Sequence, residues 1–162
     1  DPIPGRFEII ETTPDQPTIV VDYAHTPDAL ASVLRAASEI RGPGAEVVVV
    51  FGCGGDRDRA KRPEMGAAAT AGADRVVLTT DNPRSEDPAG IIAEVLVGCD
   101  DSVVVEPDRR TAISLAISGR AAGDVVVLAG KGHETGQEFA DHIEDFDDRI
   151  VAAEILSGGD SR

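Results

Sequence analysis

The chain has 162 residues and a formal net charge of -15, and is 41% hydrophobic but only 3% aromatic, with no Trp. That length fits one domain whose core is built from Val, Ile, Leu and Ala, and the acidity excludes a surface made for nucleic acid or anionic membrane, which would repel it. Two cysteines, Cys53 and Cys99, lack metal-ligand spacing and form no disulfide framework, no apolar run approaches a membrane span, and no signal peptide is visible, so the expected location is the cytoplasm.

The opening Asp1-Pro2-Ile3-Pro4-Gly5 has no initiator Met and reads as a Pro/Gly-rich linker, residues 1–5, from an upstream domain; residues 6–162 read as a single domain. Short apolar runs then alternate with helix-like segments. The expected strands are Phe7–Glu11, Thr18–Asp22, Glu46–Phe51, Arg75–Thr80, Ser102–Val105 and Asp124–Leu128. The expected helices are Pro27–Arg41, Arg62–Ala71, Pro88–Leu96, Arg109–Gly119 and Asp147–Leu156, with Pro27 and Pro88 in first-turn positions where a missing N–H costs nothing. Val47–Val50 and Val125–Val127 do not alternate with polar residues, so both faces of those strands are expected to be buried. The pattern predicts an α/β, Rossmann-like, doubly wound domain with a mostly parallel sheet of about six strands flanked by helices.

Four polar clusters each follow an apolar strand: Asp22–Asp28, Gly52–Arg62, Asp81–Arg84 and Gly130–Glu134. In a parallel sheet they converge on the carboxyl edge, where open α/β sheets bind ligands. Asp81-Asn82-Pro83-Arg84 is the most telling, because a Pro-fixed turn holds an anion, an amide and a guanidinium within four residues. Arg grips carboxylates with two parallel hydrogen bonds, so the expected ligand is a zwitterion such as an amino acid.

Gly52-Cys53-Gly54-Gly55 leads into Arg57, Arg59, Lys61 and Arg62, a cation-dense turn in an acidic chain that suits phosphate or carboxylate better than it suits a mere flexible surface turn. It fits neither the dinucleotide fingerprint, since Arg57 holds the third Gly position, nor a P-loop. In the first cluster Asp22 suits a ribose hydroxyl, and Tyr23 and His25 offer flat faces to a nucleoside; Thr26 or Asp28 serves as a helix cap. Gly130 permits close backbone approach and Glu134 suits an ammonium group, whereas His133 is given no catalytic role and Cys53 reads as a small packing residue. His142 to Arg149 reads as an exposed connection into the last helix, with Asp147 as its N-cap, and its carboxylates lack calcium-loop spacing.

The motifs Gly5-Arg6-Phe7-Glu8, Asp22-Tyr23-Ala24-His25-Thr26-Pro27-Asp28, Gly52–Pro63, Asp81-Asn82-Pro83-Arg84 and Gly130-Lys131-Gly132-His133-Glu134 stand in the order and spacing of the Mur ligases. This resemblance covers essentially the whole chain but only the C-terminal third of the family pattern, whose upstream UDP-sugar-binding and central ATPase domains carry the P-loop and a carbamoylated lysine. It implies ATP-dependent amide formation in peptidoglycan synthesis. ATP phosphorylates UDP-MurNAc-L-Ala-D-Glu, Mg2+ held mainly by the central domain shields the phosphates, and the amine of meso-diaminopimelate attacks the acyl phosphate.

By the same resemblance, Arg6 contacts ATP phosphate, Asp22 holds the ribose, and Tyr23 and His25 lie beside the nucleotide. Arg57 meets a carboxylate of the incoming amino acid, Asp81, Asn82 and Arg84 form its selectivity motif, and Gly130 and Glu134 receive the far amino group. No residue of this chain is assigned a catalytic or metal-binding role, so the isolated chain is expected to be inactive. Phe146-Asp147-Asp148-Arg149-Ile150 departs from the family pattern only in placing Ile150 where Glu is usual. Arg84 favours an amino acid with a second carboxylate over lysine. The alternatives are a relative adding lysine or glutamate, as in folylpolyglutamate synthetase, or a non-catalytic nucleotide- or amino-acid-binding module.

Overall fold

A computed structural model describes residues 3–158, so Asp1 and Pro2 of the expected linker, and residues 159–162 of the expected domain, lie outside it. The main sheet comprises β1 (Glu8–Ile10), β2 (Thr18–Asp22), β3 (Val47–Phe51), β4 (Arg75–Leu78), β5 (Val104–Val105) and β6 (Val125–Ala129). Its order is β1-β2-β6-β3-β4-β5; every neighbouring pair is parallel except the β1–β2 edge. The helices are α1 (Pro27–Ile40), α2 (Lys61–Gly72), α3 (Pro88–Leu96), α4 (Arg109–Ile117) and α5 (Asp148–Leu156).

Strand parity divides the core between two layers. Val20, Val47, Val49, Phe51, Leu78, Val125 and Val127 face Leu30 and Leu34 of α1, Met65 of α2 and Ile91 of α3. The intervening Ile19, Val21, Val48, Val50, Val126 and Leu128 face Ala112 and Ile113 of α4 and Val151 of α5. Every residue of β3 and β6 is buried, which is why those strands read as unbroken apolar runs. The caps follow from side-chain chemistry: Thr26 accepts from the Ala29 amide, Asp87 from Ala89, Asp108 from Thr111 and Asp147 from Arg149.

The sequence expectation needs three corrections. The edge strands are shorter than expected, β5 being two exposed residues beside β4. Helix α2 begins at Lys61 and ends at Gly72, one residue beyond the expected bounds at each end. The expected exposed connection between His142 and Arg149 contains β8 (Ile143–Asp145), paired antiparallel with β7 (Gly136–Glu138) as a separate two-stranded sheet. These strands are short and mostly polar, so they lack the apolar alternation that marks a strand. Among the described residues no helix is long and apolar enough to cross a membrane.

Candidate functional site

Because β2, β3, β4 and β6 run parallel, their carboxyl ends deliver four loops to one edge of the sheet. A cleft of about 300 Å³ lies there. It is lined by Tyr23 and His25 after β2, Gly54, Arg57 and Lys61 after β3, Asp81, Asn82 and Arg84 after β4, and Gly130 and Glu134 after β6. The expected convergence of the four clusters is therefore realised, but not every expected member faces the cleft.

Asp22 stands beside it with both carboxylate oxygens engaged, accepting from the Phe7 amide and the Ala24 amide, each at 2.8 Å. It thereby ties the entering chain to the loop after β2. The Arg6 guanidinium lies over the Tyr23 ring, 5.4 Å from its centroid, and Tyr23 meets His25 edge-to-face at 4.7 Å. His25 Nδ1 is 3.0 Å from the Tyr23 carbonyl. Gly5, read as linker, is buried, and a Cβ there would come within 2.4 Å of the His133 backbone nitrogen.

Two of the four cations in the turn after β3 are neutralised by carboxylates, which corrects the expectation of four cations for one anion. Arg62 is fully buried, bonded to Glu86 at 2.7 and 3.0 Å and to the Gly54 carbonyl at 3.1 Å. Arg59 pairs with Glu94 at 2.7 Å. The Arg62 hydrogen bonds, with help from the Asp56 amide, hold the Glu86 carboxyl down at about 2. Lys61 donates to the His25 carbonyl at 2.9 Å and so joins two of the loops. Arg57 bonds only its neighbour's carbonyl, Asp56, at 3.0 Å and leaves its charge to the cleft.

The turn after β4 is held from several sides. Arg84 sits at φ 52, its amide donates to the Glu138 carbonyl at 3.0 Å, and its Nη1 donates to the Gly55 carbonyl at 2.9 Å. Its Nε lies 3.4 Å from the Glu138 carboxylate. Asn82 Nδ2 donates to Glu134 at 3.2 Å while its Oδ1 accepts from the Glu138 amide at 2.9 Å. Asn82, Arg84 and Glu134 also line a shallower pocket of about 290 Å³ with Glu138 and Ile143. Asp81 keeps one buried oxygen without a hydrogen-bond partner. Burial pushes its carboxyl up, against the opposing charges of Arg109 and Lys131.

Several polar residues around this edge carried no sequence expectation. Arg109 and Asp148 form a pair with fully buried side chains. Lys131 is buried with its ammonium on the Gly136 carbonyl and 3.6 Å from Glu134. Gln137 is buried and donates to the Asp81 carbonyl at 2.8 Å. The available signal was the adjacent Asp147 and Asp148 at one helix start, where a single cap suffices. Cys53 is a buried packing residue whose thiol burial pushes up to about 12, too high to supply a thiolate. A cavity of about 750 Å³ lies between α4, α5 and the β7–β8 hairpin and holds none of the expected site residues. Among the described residues no cluster of three or more His, Cys, Asp or Glu is arranged to hold a metal ion.

Residues 5–132 match the family described as Mur ligase, glutamate ligase domain. The chain is 55% identical over 160 residues to the UDP-N-acetylmuramoyl-L-alanyl-D-glutamate–2,6-diaminopimelate ligase of Solibacter usitatus, covering 96% of this chain and 32% of that protein. It is 50% identical over 162 residues to the protein of that name from Chromobacterium violaceum, covering 99% and 33%. A solved structure of a ligase of that name superposes with a TM-score of 0.88 at 45% identity, covering 98% of this chain and 32% of the other. The bifunctional folylpolyglutamate synthase/dihydrofolate synthase of Yersinia pestis, complexed with AMPPNP and Mn ion, gives 0.61 at 28% identity, over 80% and 28%. The chain thus spans about a third of the length of the curated relatives it matches.

Proposed function

The chain belongs to the Mur ligase family, and from that premise we propose that it is the amino-acid-binding C-terminal domain of an ATP-dependent ligase that adds meso-diaminopimelate to UDP-MurNAc-L-Ala-D-Glu. The observation that carries this reading is that Arg84 and Glu134 line one cleft, with Asn82 bonded to Glu134. A distal carbon bearing both a carboxylate and an ammonium needs such a pair. Arg84 takes the carboxylate, Glu134 the ammonium, and Gly130 leaves room for the backbone to approach. Asp81 lies beside Gly130, its Oδ1 3.8 Å from the place of a Cβ there, with that oxygen buried and unpartnered. Arg57, uncompensated in the cleft, takes the other carboxylate.

On the opposite rim Arg6, Tyr23 and His25 form a cationic and aromatic face suited to ATP, and Asp22 holds that rim in place while retaining acceptor capacity for a ribose hydroxyl. In the reaction, the phosphorylated substrate carboxyl is attacked by the neutral amine of the amino acid. The new C–N bond forms a tetrahedral intermediate, which collapses by breaking the C–O bond to phosphate, and the amine proton leaves to solvent or a base. What this domain supplies is alignment, a large part of the rate in a bimolecular step. Activation of the carboxyl, and Mg2+ with it, falls to the upstream domains. The same reading keeps the enzyme in the cytoplasm, where the free thiols Cys53 and Cys99 are stable.

A glutamate-adding activity of the folylpolyglutamate synthase kind is less well supported, by a lower identity and by an Arg84–Glu134 pair that a side chain with no distal ammonium does not use. The test is ligation by the full-length protein with diaminopimelate, lysine and glutamate as competing amines. Turnover with diaminopimelate alone is expected, and equal turnover with lysine refutes the role given to Arg84.

A further inference from the structure

Two of the cleft's four loops begin one residue beyond carbonyls that a single buried cation holds. Arg109, the first residue of α4, makes four hydrogen bonds: Nε and Nη2 to the two oxygens of Asp148 at 2.8 and 2.7 Å, Nη2 to the Ala129 carbonyl at 3.2 Å, and Nη1 to the Thr80 carbonyl at 3.4 Å. Thr80 precedes Asp81, and Ala129 precedes Gly130. Strands β4 and β6 are not neighbours, since β3 lies between them, so no sheet hydrogen bond sets one strand end against the other.

We propose that Arg109 and Asp148 act as a positioning clamp, fixing the spacing between the Asp81–Arg84 turn and the Gly130–Glu134 loop and thereby the two ends of the amino-acid site. The proposal rests on the function given above. The chemistry suits the task. Guanidinium is planar and presents several donors in fixed directions, so one group bonds two carbonyls and a carboxylate at once, which an ammonium point charge does not. Asp148 fixes the plane of that guanidinium with a bidentate bond from the start of α5, and it is free to do so because Asp147 already supplies the cap. Gln137 reinforces the same strand end, its amide lying 3.3 Å from the Thr80 carbonyl and 2.8 Å from that of Asp81. Neither Arg109 nor Asp148 lines the cleft, so both act through the loops they hold.

The pair is a device for placement more than for stability, because a buried ion pair replaced by apolar residues of similar volume often leaves a fold intact. The experiment uses the full-length protein, unaltered and as Arg109→Lys, Asp148→Asn and the double variant Arg109→Met with Asp148→Leu. In each variant that folds, KM for diaminopimelate is expected to rise about tenfold to a hundredfold, the scale of a displaced binding group, while KM for ATP stays within a factor of about two. Deuterium exchange is expected to quicken in peptides spanning 79–84 and 129–134, and not in β3.

A folded variant with unchanged KM for diaminopimelate, or one in which exchange rises equally across the sheet, overturns the clamp. Failure of all three variants to fold also overturns it, by assigning the pair to folding. If the unaltered protein does not ligate diaminopimelate, the proposed function fails instead, and the exchange pattern still decides the clamp.

Discussion

Asn82 hydrogen-bonds Glu134 across the cleft, its Nδ2 donating to Oε1 at 3.2 Å and joining the turn after β4 to the loop after β6. The other end of the amide accepts from the Glu138 amide at 2.9 Å, so its orientation is fixed by one donor and one acceptor. Glu134 also has the buried Lys131 ammonium 3.6 Å away, yet its side chain stays 34% exposed. It is therefore a carboxylate held in place with lone pairs to spare, as the ammonium-binding role proposed for it requires.

Asn82→Asp removes the donor and sets a second carboxylate against Glu134, while retaining an oxygen for the Glu138 amide. Urea denaturation at neutral pH is expected to show a loss of about 1–2 kcal/mol. In the full-length protein the KM for diaminopimelate is expected to rise about tenfold. A variant as stable and as active as the parent contradicts the arrangement.

Arg84 combines the charge proposed to meet the distal carboxylate with a left-handed backbone at φ 52, a conformation that costs a residue with a Cβ about 1 kcal/mol or more. Substitution separates the two effects. Arg84→Ala and Arg84→Gly are both expected to weaken diaminopimelate binding by about 2 kcal/mol, close to thirtyfold in KM, the lower end for a charged pair because Gly55 and Glu138 already engage this side chain. Only the Gly variant also relieves the backbone, so it is expected to melt above the Ala variant. Calorimetry and initial rates on the same pair check both halves.

The fold was legible because its evidence is local. The buried β3 and β6 show unbroken Val runs, Pro27 and Pro88 mark helix starts, and the strand-end loops bear polar clusters. The cleft was legible for the same reason, since parallel strands bring their carboxyl ends together whatever their order. Partnership across the chain was not. Arg62 and Arg57 look alike in sequence, but Glu86 and Glu94, at the start of and within the α3 region, claim Arg62 and leave Arg57. The β7–β8 hairpin escaped because its strands carry Gly, Gln and Glu, and Arg109 escaped because its acid lies 39 positions away. Such residues are defined by what they meet, and that is fixed only when the helices dock.

Acid titration exposes the Arg62–Glu86 pair. The folded Glu86 carboxyl is depressed to about 2 from an ordinary 4.5, so its contribution is fully present above pH 4.5 and disappears as pH falls to about 2. Glu86→Gln removes that dependence. Thermal melts are therefore expected to separate parent and variant most on the plateau at about pH 5–7, with the gap narrowing steadily below. A gap that stays constant down to the acid limit eliminates this pair as a source of the acid sensitivity.

Gly54, Gly55 and Gly90 give three alanine substitutions with three different outcomes. At Gly55 a Cβ would stand 1.8 Å from the Pro83 carbonyl oxygen, and backbone on both sides is locked by the Gly55 amide donating to the Asn82 carbonyl at 2.7 Å. Neither turn yields cheaply, so Gly55→Ala is expected to cost about 2–4 kcal/mol and to abolish diaminopimelate binding by prising the two turns apart. At Gly54 the nearest atom, at 2.9 Å, is Nη1 of the Arg84 side chain, which swings aside. Gly54→Ala is therefore expected to leave the melting temperature nearly unchanged while raising KM for diaminopimelate. At Gly90, inside α3, a Cβ meets nothing within 4 Å, and alanine is expected to stabilise by about 0.5–1 kcal/mol with no effect on ligation. Denaturation and KM measured on the three variants separate close backbone approach from mere proximity to Arg84 and from helix propensity. Equal losses of stability at Gly54 and Gly55 would show that side-chain freedom at Arg84 is not what distinguishes them.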